Sequence, residues 1–325
     1  MSILSVVRRC AALAAVFALA GTAAAQVFPG KTVSLMVPYP AGGASDYLAR
    51  QIQADYQKQL AQPVIIENLG GVSGALGTQK VLNAAADGHS QVLVTPIEAM
   101  LAPFSLSAVK YKPEDLRLAS LIATTPVVLL ARKDIPASNL EEFLAWAKGR
   151  DVSYGSVGPG SLFHILGEKL AARTNLKMLH VPYKGGTQLI TDIAGGQIDV
   201  AFFALAGPVP GMIKDQRVRA IAVTSREPLH AWPGLKPFAQ SRQMNDFVFD
   251  IWAGVAVPRN TSDAAVLRIN QAVTEAMKNP ATRKNLEEAG STIARPMTIQ
   301  ELDKFYAAEI TEYRQLFKSI SFQPQ

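Results

Sequence analysis

Hydrophobic positions along this chain fall into two alternating patterns. Short runs rich in valine and isoleucine predict strands, whereas longer segments with apolar residues three or four positions apart predict helices. The strands are predicted at 33–37, 64–67, 91–95, 127–131, 152–154, 178–181, 200–203, 218–224 and 252–257. The helices are predicted at 45–60, 73–85, 140–148, 162–173, 187–194, 263–277, 280–288 and 298–317. This alternation favours parallel α/β sheets, in which ligands bind outside the carboxyl ends of the strands.

The amino terminus has the pattern of a secretory signal peptide. Arg8 and Arg9 precede an apolar stretch at 11–20, and three alanines end at Ala25. A positive start, a short apolar run and small residues at the end predict cleavage after Ala25. The only cysteine, Cys10, would leave with this segment, so the mature chain has no thiol or disulfide chemistry. We therefore expect residues 1–25 to be removed and the protein to be soluble in the periplasm of a bacterium.

Composition narrows the choice of partners. The formal charge of the chain is +6, and residues 1–25 carry two arginines and no acidic residue, which leaves +4 for the mature chain. That small excess comes without the basic clusters of a nucleic-acid binder and mildly favours anionic ligands. About 300 residues are enough for two domains with separate cores.

Two loops rich in small residues follow predicted strands and lead into helices. The first is Ala41-Gly42-Gly43-Ala44-Ser45-Asp46, and the second spans 155–161. Glycine lets a ligand approach the backbone closely, and the unpaired N–H groups at a helix start attract anions. Two such loops predict a protein that holds a small carboxylate from two sides.

The order of several short motifs resembles one family of receptors. The motifs are Val37-Pro38-Tyr39-Pro40-Ala41-Gly42-Gly43 with Asp46 and Arg50, Val64-Ile65-Ile66-Glu67-Asn68, Ala86-Asp87-Gly88, Tyr154-Gly155-Ser156-Val157-Gly158 with His164, Val181-Pro182-Tyr183-Lys184-Gly185-Gly186, and Trp252-Ala253-Gly254. Together they are similar to the substrate-binding proteins of tripartite tricarboxylate transporters, the TctC-like or Bug receptor family. The segment 232–246 departs from the family pattern.

This resemblance implies a type II periplasmic binding-protein fold. Two α/β lobes would be joined by two crossover strands, near 125–131 and 250–257, with the ligand in the cleft between them. Lobe 1 would then comprise 26–125 and 252–325, and lobe 2 would comprise 126–251. The resemblance also implies a monomer without cofactor or metal, which binds a di-, tri- or aromatic carboxylate and delivers it to the membrane subunits of a transporter.

The resemblance assigns a ligand-binding group to each lobe. In lobe 1 it consists of Tyr39, Ala41, Gly42, Gly43, Ser45 and Asp46. In lobe 2 it consists of Ser156, Gly158, Gly160, Ser161 and His164. Thr95, Lys184 and Gly185 are further candidates for ligand binding. An ionised Asp46 would repel a carboxylate, so we expect it to cap the first helix or to orient a water. His164 is equally consistent with a packed structural residue, and Lys184 with an exposed turn.

No catalytic constellation can be assembled from the sequence. The four histidines form no metal-binding pattern, and the residues around Ser156 are not a nucleophile elbow. The alternative to a transport receptor is a sensor module that presents its ligand to a signalling receptor. Ile97, Glu98 and Met100 follow a strand at the expected cleft rim. We therefore expect Glu98→Ala to change ligand ranking more than stability.

Overall fold

The computed structural model describes residues 28–319. Its strands are β1 (Val33–Val37), β2 (Val64–Asn68), β3 (Ser90–Val94), β4 (Leu116–Arg132), β5 (Asp151–Ser156), β6 (Lys177–Pro182), β7 (Val200–Ala204), β8 (Val218–Val223), β9 (Asp250–Pro258) and β10 (Thr292–Ile293). Its α-helices are α1 (Ala44–Leu60), α2 (Ala75–Leu82), α3 (Ala102–Ser105), α4 (Leu140–Ala147), α5 (Leu162–Thr174), α6 (Gly186–Ala194), α7 (Val209–Lys214), α8 (Asp263–Ala276), α9 (Pro280–Ala289) and α10 (Ile299–Ser319). A π-helical turn, Ile97–Leu101, leads into α3, and 3-10 turns lie at Pro113–Asp115 and Phe238–Gln240.

The first sheet unites the beginning and the end of the chain. β1 pairs in parallel with β2 and β3, and β9 pairs antiparallel with β3 and with the first part of β4. Val33, Leu35 and Val37 of β1 are fully buried, as expected for a central strand that is covered on both faces. From α8, Asn270 donates its side-chain amide to the carbonyl of Ala119 in β4, at 2.9 Å.

The second sheet is formed by the middle of the chain. β5 pairs in parallel with β6 and β7, and the last part of β4 pairs antiparallel with β7 and β8. The sheets are therefore mixed rather than wholly parallel, because the strands that pass between them run against their neighbours. The mixed α/β fold with two lobes is confirmed.

The long strand β4 belongs to both sheets. Its residues from Leu116 to Pro126 face β9, and those from Val127 onwards face β7 and β8. β9 begins at Asp250, opposite Pro126. The change of partners thus falls between Pro126 and Val127. This change of partners is compatible with the predicted lobe boundaries at 125–126 and 251–252, which stay predictions.

No helix in the described range 28–319 is long and apolar enough to cross a membrane. The predicted signal peptide, 1–25, lies outside the described residues.

Candidate functional site

A cavity lies between the two sheets, beyond the ends of β1, β3 and β5. Its free space is about 790 Å³, counting space that opens to solvent. The residues that line it come from both lobes and from both crossover strands. They are Tyr39, Gly43, Ala44, Ser45, Tyr47, Leu48, Thr95, Ile97, Ala123, Thr125, Val157, Phe163, Gly186, Phe203, Ala204, Ala206, Ile251, Ala253, Leu286 and Ser291.

The first turn of α1 opens into this cavity. Gly43 occupies the N-cap position without any side-chain hydrogen bond, and Gly43, Ala44 and Ser45 all line the cavity. The N–H groups of a first helical turn have no partner inside the helix, and the helix dipole places partial positive charge there. Ser45 adds a hydroxyl that has no hydrogen bond to another described residue. The arrangement favours a carboxylate or another small anion.

The carboxylate of Asp46 supports this turn from behind. It accepts hydrogen bonds from the backbone N–H of Gly42 at 2.9 Å, from Arg50 Nε at 2.9 Å and from Asn68 Nδ2 at 3.0 Å. Burial would raise its pKa, but the hydrogen bonds from Arg50, Gly42 and Asn68 outweigh burial and hold the pKa below its usual value. Asp46 is thus an ionised, fully bonded group that fixes the loop. It also occupies the N–H of Gly42, which is therefore not available to a ligand.

The residues predicted for lobe 1 divide into two groups. Tyr39, Gly43, Ser45 and Thr95 line the cavity, whereas Ala41, Gly42 and Asp46 lie behind it.

In lobe 2, the predicted loop residues bond mainly to one another, and none of the five lines the cavity. Ser161 is the N-cap of α5; its hydroxyl donates to the carbonyl of Gly158 at 2.7 Å and accepts the N–H of His164 at 3.4 Å. Nδ1 of His164 accepts the N–H of Gly160 at 3.0 Å. The hydroxyl of Ser156 accepts the N–H of Gly158 at 3.2 Å. The polar groups of these five residues therefore stabilise the loop itself. The residues from this part of the chain that face the cavity are the apolar Val157 and Phe163.

His164 belongs to a stack of rings behind that loop. Its imidazole lies 4.1 Å from that of His180, measured between ring centroids, and the ring of Tyr154 lies 5.0 Å from His180 and 6.5 Å from His164. Burial lowers the pKa of His164, and burial together with the nearby His164 lowers the pKa of His180 to about 4. Nε2 of His180 lies 2.7 Å from the hydroxyl of Ser156. Both imidazoles are therefore neutral at neutral pH and serve packing, which agrees with the structural alternative for His164.

The second helix start that opens into the cavity is that of α6 rather than α5. Gly186, in the first turn of α6, lines the cavity, and the N-cap Gly185 makes no side-chain hydrogen bond. Thr187 donates its hydroxyl across the cleft to the carbonyl of Ala41, at 2.7 Å. Lys184 is exposed and does not line the cavity. A signal for this role is visible in the sequence, because Val-Pro-Tyr followed by Gly-Gly and a helix occurs at 37–43 and again at 181–186.

Of the three residues expected at the cleft rim after β3, the structure places one on the cavity wall. Ile97 lines the cavity, but Glu98 and Met100 are fully buried and do not. Oε2 of Glu98 accepts the hydroxyls of Tyr39 at 2.9 Å and Thr95 at 2.8 Å, and Oε1 accepts the backbone N–H of Thr95. The carboxyl group of Glu98 therefore lies outside the cavity wall, and the effect of Glu98→Ala on ligand ranking stays a prediction. The carboxyl group holds two wall residues from behind.

Most of the cavity wall consists of apolar residues that the sequence did not point to. Phe163 and Phe203 stack at 5.8 Å between ring centroids. Leu286 of α9 and Ile251 of β9 add aliphatic surface from distant parts of the chain. No local motif marks these positions, because each is an ordinary buried residue of its own element.

The described residues of the cavity wall are uncharged. None of the twenty residues that line the cavity carries a charged side chain. Within 28–319, no group of three or more histidines, cysteines, aspartates or glutamates could hold a metal ion. The arrangement can enclose and desolvate a small molecule and offer it backbone N–H groups.

Comparison with known proteins identifies the family. The model of the tripartite tricarboxylate transporter family receptor, TctC, matches residues 48–322. The chain belongs to this receptor family. Its members are solute-binding receptors rather than enzymes, and they are periplasmic.

Solved structures agree with this assignment. Periplasmic binding protein BugD is 26% identical, with a TM-score of 0.86 over 92% of this TctC-family chain and 100% of its own. MatC from Rhodopseudomonas palustris, solved with bound malate, is 27% identical, with a TM-score of 0.82 over 89% and 99% of the two chains. A protein from R. palustris solved with adipate is 25% identical, with a TM-score of 0.85 over 92% and 100%.

Proposed function

We propose that this protein is a periplasmic receptor that captures a small carboxylate between its lobes and delivers it to the membrane subunits of a tripartite tricarboxylate transporter. The observation that carries the proposal is the uncapped first turn of α1, which opens into an interlobe cavity without a charged side chain on its wall. The structural relatives solved with malate and adipate support a carboxylate as the ligand.

The carboxylate would be held by the starts of two helices. Gly43, Ala44 and Ser45 of the α1 turn and Gly186 of α6 all border the same space. Each helix contributes about half a positive charge at its amino-terminal end, directed at the ligand. We propose Gly43 and Ser45 as ligand donors, with Tyr39 and Thr95 as wall residues.

Closure of the cleft would retain the ligand. Ser73 in lobe 1 donates its hydroxyl to the carbonyl of Pro159 in lobe 2 at 2.9 Å, and Thr187 bonds across to Ala41. Val72 and Ser73 both adopt left-handed backbone, with φ of 51°, which is costly for a β-branched residue. We propose that this strained turn directs Ser73 across the cleft and that the closed surface is what a membrane subunit recognises.

The remaining assignments complete the proposal. Residues 1–25 would be removed after Ala25 on export. The mature chain would act as a monomer. Its lobes would divide into 26–125 with 252–325, and 126–251.

Thermal unfolding with a panel of acids tests the carboxylate. Ligand at a hundredfold excess over Kd stabilises the folded state by about 2.7 kcal/mol. We expect one or more carboxylates to raise the melting temperature and their neutral amides to have no effect. Stabilisation only by cations or neutral sugars would refute the proposal.

A separate experiment tests the transport partner. The gene for this receptor would be deleted from a strain that takes up the identified acid, and uptake of the radiolabelled acid would be measured. We expect uptake to be lost and to return with the wild-type gene. Unchanged uptake, with a change only in ligand-dependent transcription, would favour the sensor alternative.

A further inference from the structure

We infer that the ligand is a monocarboxylate with an apolar body, rather than a di- or tricarboxylate; this inference rests on the proposed function. The evidence is a cavity that supplies hydrogen-bond donors at two helix starts and apolar surface almost everywhere else.

Most hydroxyl groups in the wall already have partners. Those of Tyr39 and Thr95 donate to the buried Glu98, and those of Thr125 and Ser291 bond to each other at 2.8 Å. The hydroxyls of Ser45 and Tyr47 are the two in the wall that have no hydrogen bond to another described residue. Both belong to the first turns of α1. Donors for an anion are therefore concentrated on that helix start and the start of α6, where one carboxylate can use them.

A second carboxylate would have no charged partner among the described side chains that line this cavity. None of the described lining residues is cationic, and Arg50, the cation beside the α1 turn, is already bonded to Asp46. Moving an ionised carboxylate from water into a site without a compensating charge or donor set is strongly unfavourable. Glu98, directly behind Tyr39 and Thr95, is hydrogen-bonded to both hydroxyls and does not itself line the cavity.

The rest of the wall fits hydrocarbon. Phe163, Phe203, Ile97, Leu286 and Ile251 come together from five different elements. Burying the apolar surface of a ligand against them is favourable by about 25 cal/mol per Å². A ring or a short alkyl chain gains this contribution, whereas the hydroxyl and carboxylate groups of a malate- or citrate-like acid lose hydration without regaining hydrogen bonds.

Matched pairs of acids test the inference by isothermal titration of the protein purified from the periplasm. The pairs are 4-methylbenzoate with terephthalate and hexanoate with adipate, in which a methyl group replaces one carboxylate. We expect the monocarboxylate of at least one pair to bind more than about tenfold tighter than its dicarboxylate, because the unpaired charge costs more than 1.4 kcal/mol. We expect 4-methylbenzamide to bind weakly.

The outcomes separate the two proposals. If the dicarboxylates bind as tightly as or tighter than their partners in both pairs, the monocarboxylate inference is overturned and the carboxylate receptor stands. If none of the four acids binds, the monocarboxylate inference is overturned, and the thermal unfolding panel decides the carboxylate proposal separately. If the amide binds as well as the acid, both proposals fail.

A change in the wall gives an independent test. Phe163→Ala removes a ring from the cavity, so the affinity for the preferred monocarboxylate should fall at least about fivefold. Phe305→Ala is the control, because Phe305 packs edge-on against Trp252 at 5.8 Å between ring centroids and does not line the cavity. Equal affinities of Phe163→Ala and wild type would overturn the inference, since the ring would then not contact the ligand.

Discussion

Glu98→Gln should change how the stability of the protein depends on pH. The carboxyl of Glu98 is fully buried, and its partners are the hydroxyls of Tyr39 and Thr95 and the backbone N–H of Thr95, all uncharged. Burial raises the pKa of Glu98 to about 7, although these hydrogen bonds lower it in part. Glutamine has nearly the same shape, and it cannot ionise.

The size and sign of the effect follow from that pKa. The folded protein keeps the proton on Glu98 up to about pH 7, whereas the unfolded chain loses it near pH 4.5. The contribution of this group to stability is therefore fully present below about pH 4.5 and is lost as pH rises through 7. At about 1.4 kcal/mol per pKa unit, the loss is about 3 kcal/mol. In Glu98→Gln the amide oxygen can still accept the N–H of Thr95, and the amide nitrogen can donate to the two hydroxyls.

Urea unfolding of ligand-free protein between about pH 5 and pH 8.5 measures this difference. We expect the unfolding free energy of the wild type to fall by about 2.5 kcal/mol relative to Glu98→Gln over that interval, because part of the loss already occurs below pH 5. Glu141→Gln, an exposed change on α4, is the control and should follow the wild type. Parallel profiles for wild type and Glu98→Gln would refute the reasoning, because Glu98 would then have the same pKa in both states.

Three further substitutions test the loop, the closure and the core. Gly43→Val should weaken ligand binding at least about tenfold, because the larger side chain would stand at the anion site. The melting temperature should not change, since a Cβ at Gly43 meets only the carbonyl of Pro40, at 3.7 Å. Gly234→Val, in open space, is the control, and equal affinity in both variants would contradict this. Ser73→Ala removes the 2.9 Å bond to Pro159, so stopped-flow measurements should show ligand release a few times faster, and an unchanged rate would exclude a role in closure. Gly155→Ala should lower the unfolding free energy by about 1–3 kcal/mol, because its Cβ would lie 2.2 Å from Leu189 Cδ1. A urea midpoint equal to that of the wild type would contradict this, because the neighbouring side chains would then move aside without cost.

The strands and helices were largely predictable because their hydrophobic patterns are local. The part of the fold that the pattern missed is the first half of β4, where Ser120, Thr124, Thr125 and Pro126 interrupt the apolar run. Proline within a strand normally argues against a central position. Here Pro126 lies where β4 leaves one sheet and enters the other, so the interruption marks the crossover. The short α7 and the π-helical turn were also missed, since neither has a full period of its own.

The site was less predictable because its wall is assembled by the fold. Gly43 and Ser45 could be identified from a strand, a small-residue loop and a helix in sequence. The same reasoning pointed to 156–164, where the pattern is similar but Ser161 caps α5 and His164 occupies the N–H of Gly160. A serine before a helix is an expected cap, but the order of residues does not state whether its hydroxyl also faces the cavity. Glu98 is a second example, since its carboxylate is predicted at the rim of the cleft and lies instead behind the wall residues Tyr39 and Thr95.

The two Val-Pro-Tyr segments give a physical reason why closure and anion binding belong together. Each ends a strand, at 37–39 and 181–183, and each leads through glycines to an uncapped helix start beside the same cavity. They also contact each other, through Thr187 and Ala41 at 2.7 Å. An anion placed between the two helix starts is attracted by both dipoles only while the lobes are close. The ligand's negative charge would therefore stabilise the closed state directly. An uncharged amide of the same shape would stabilise the closed state less.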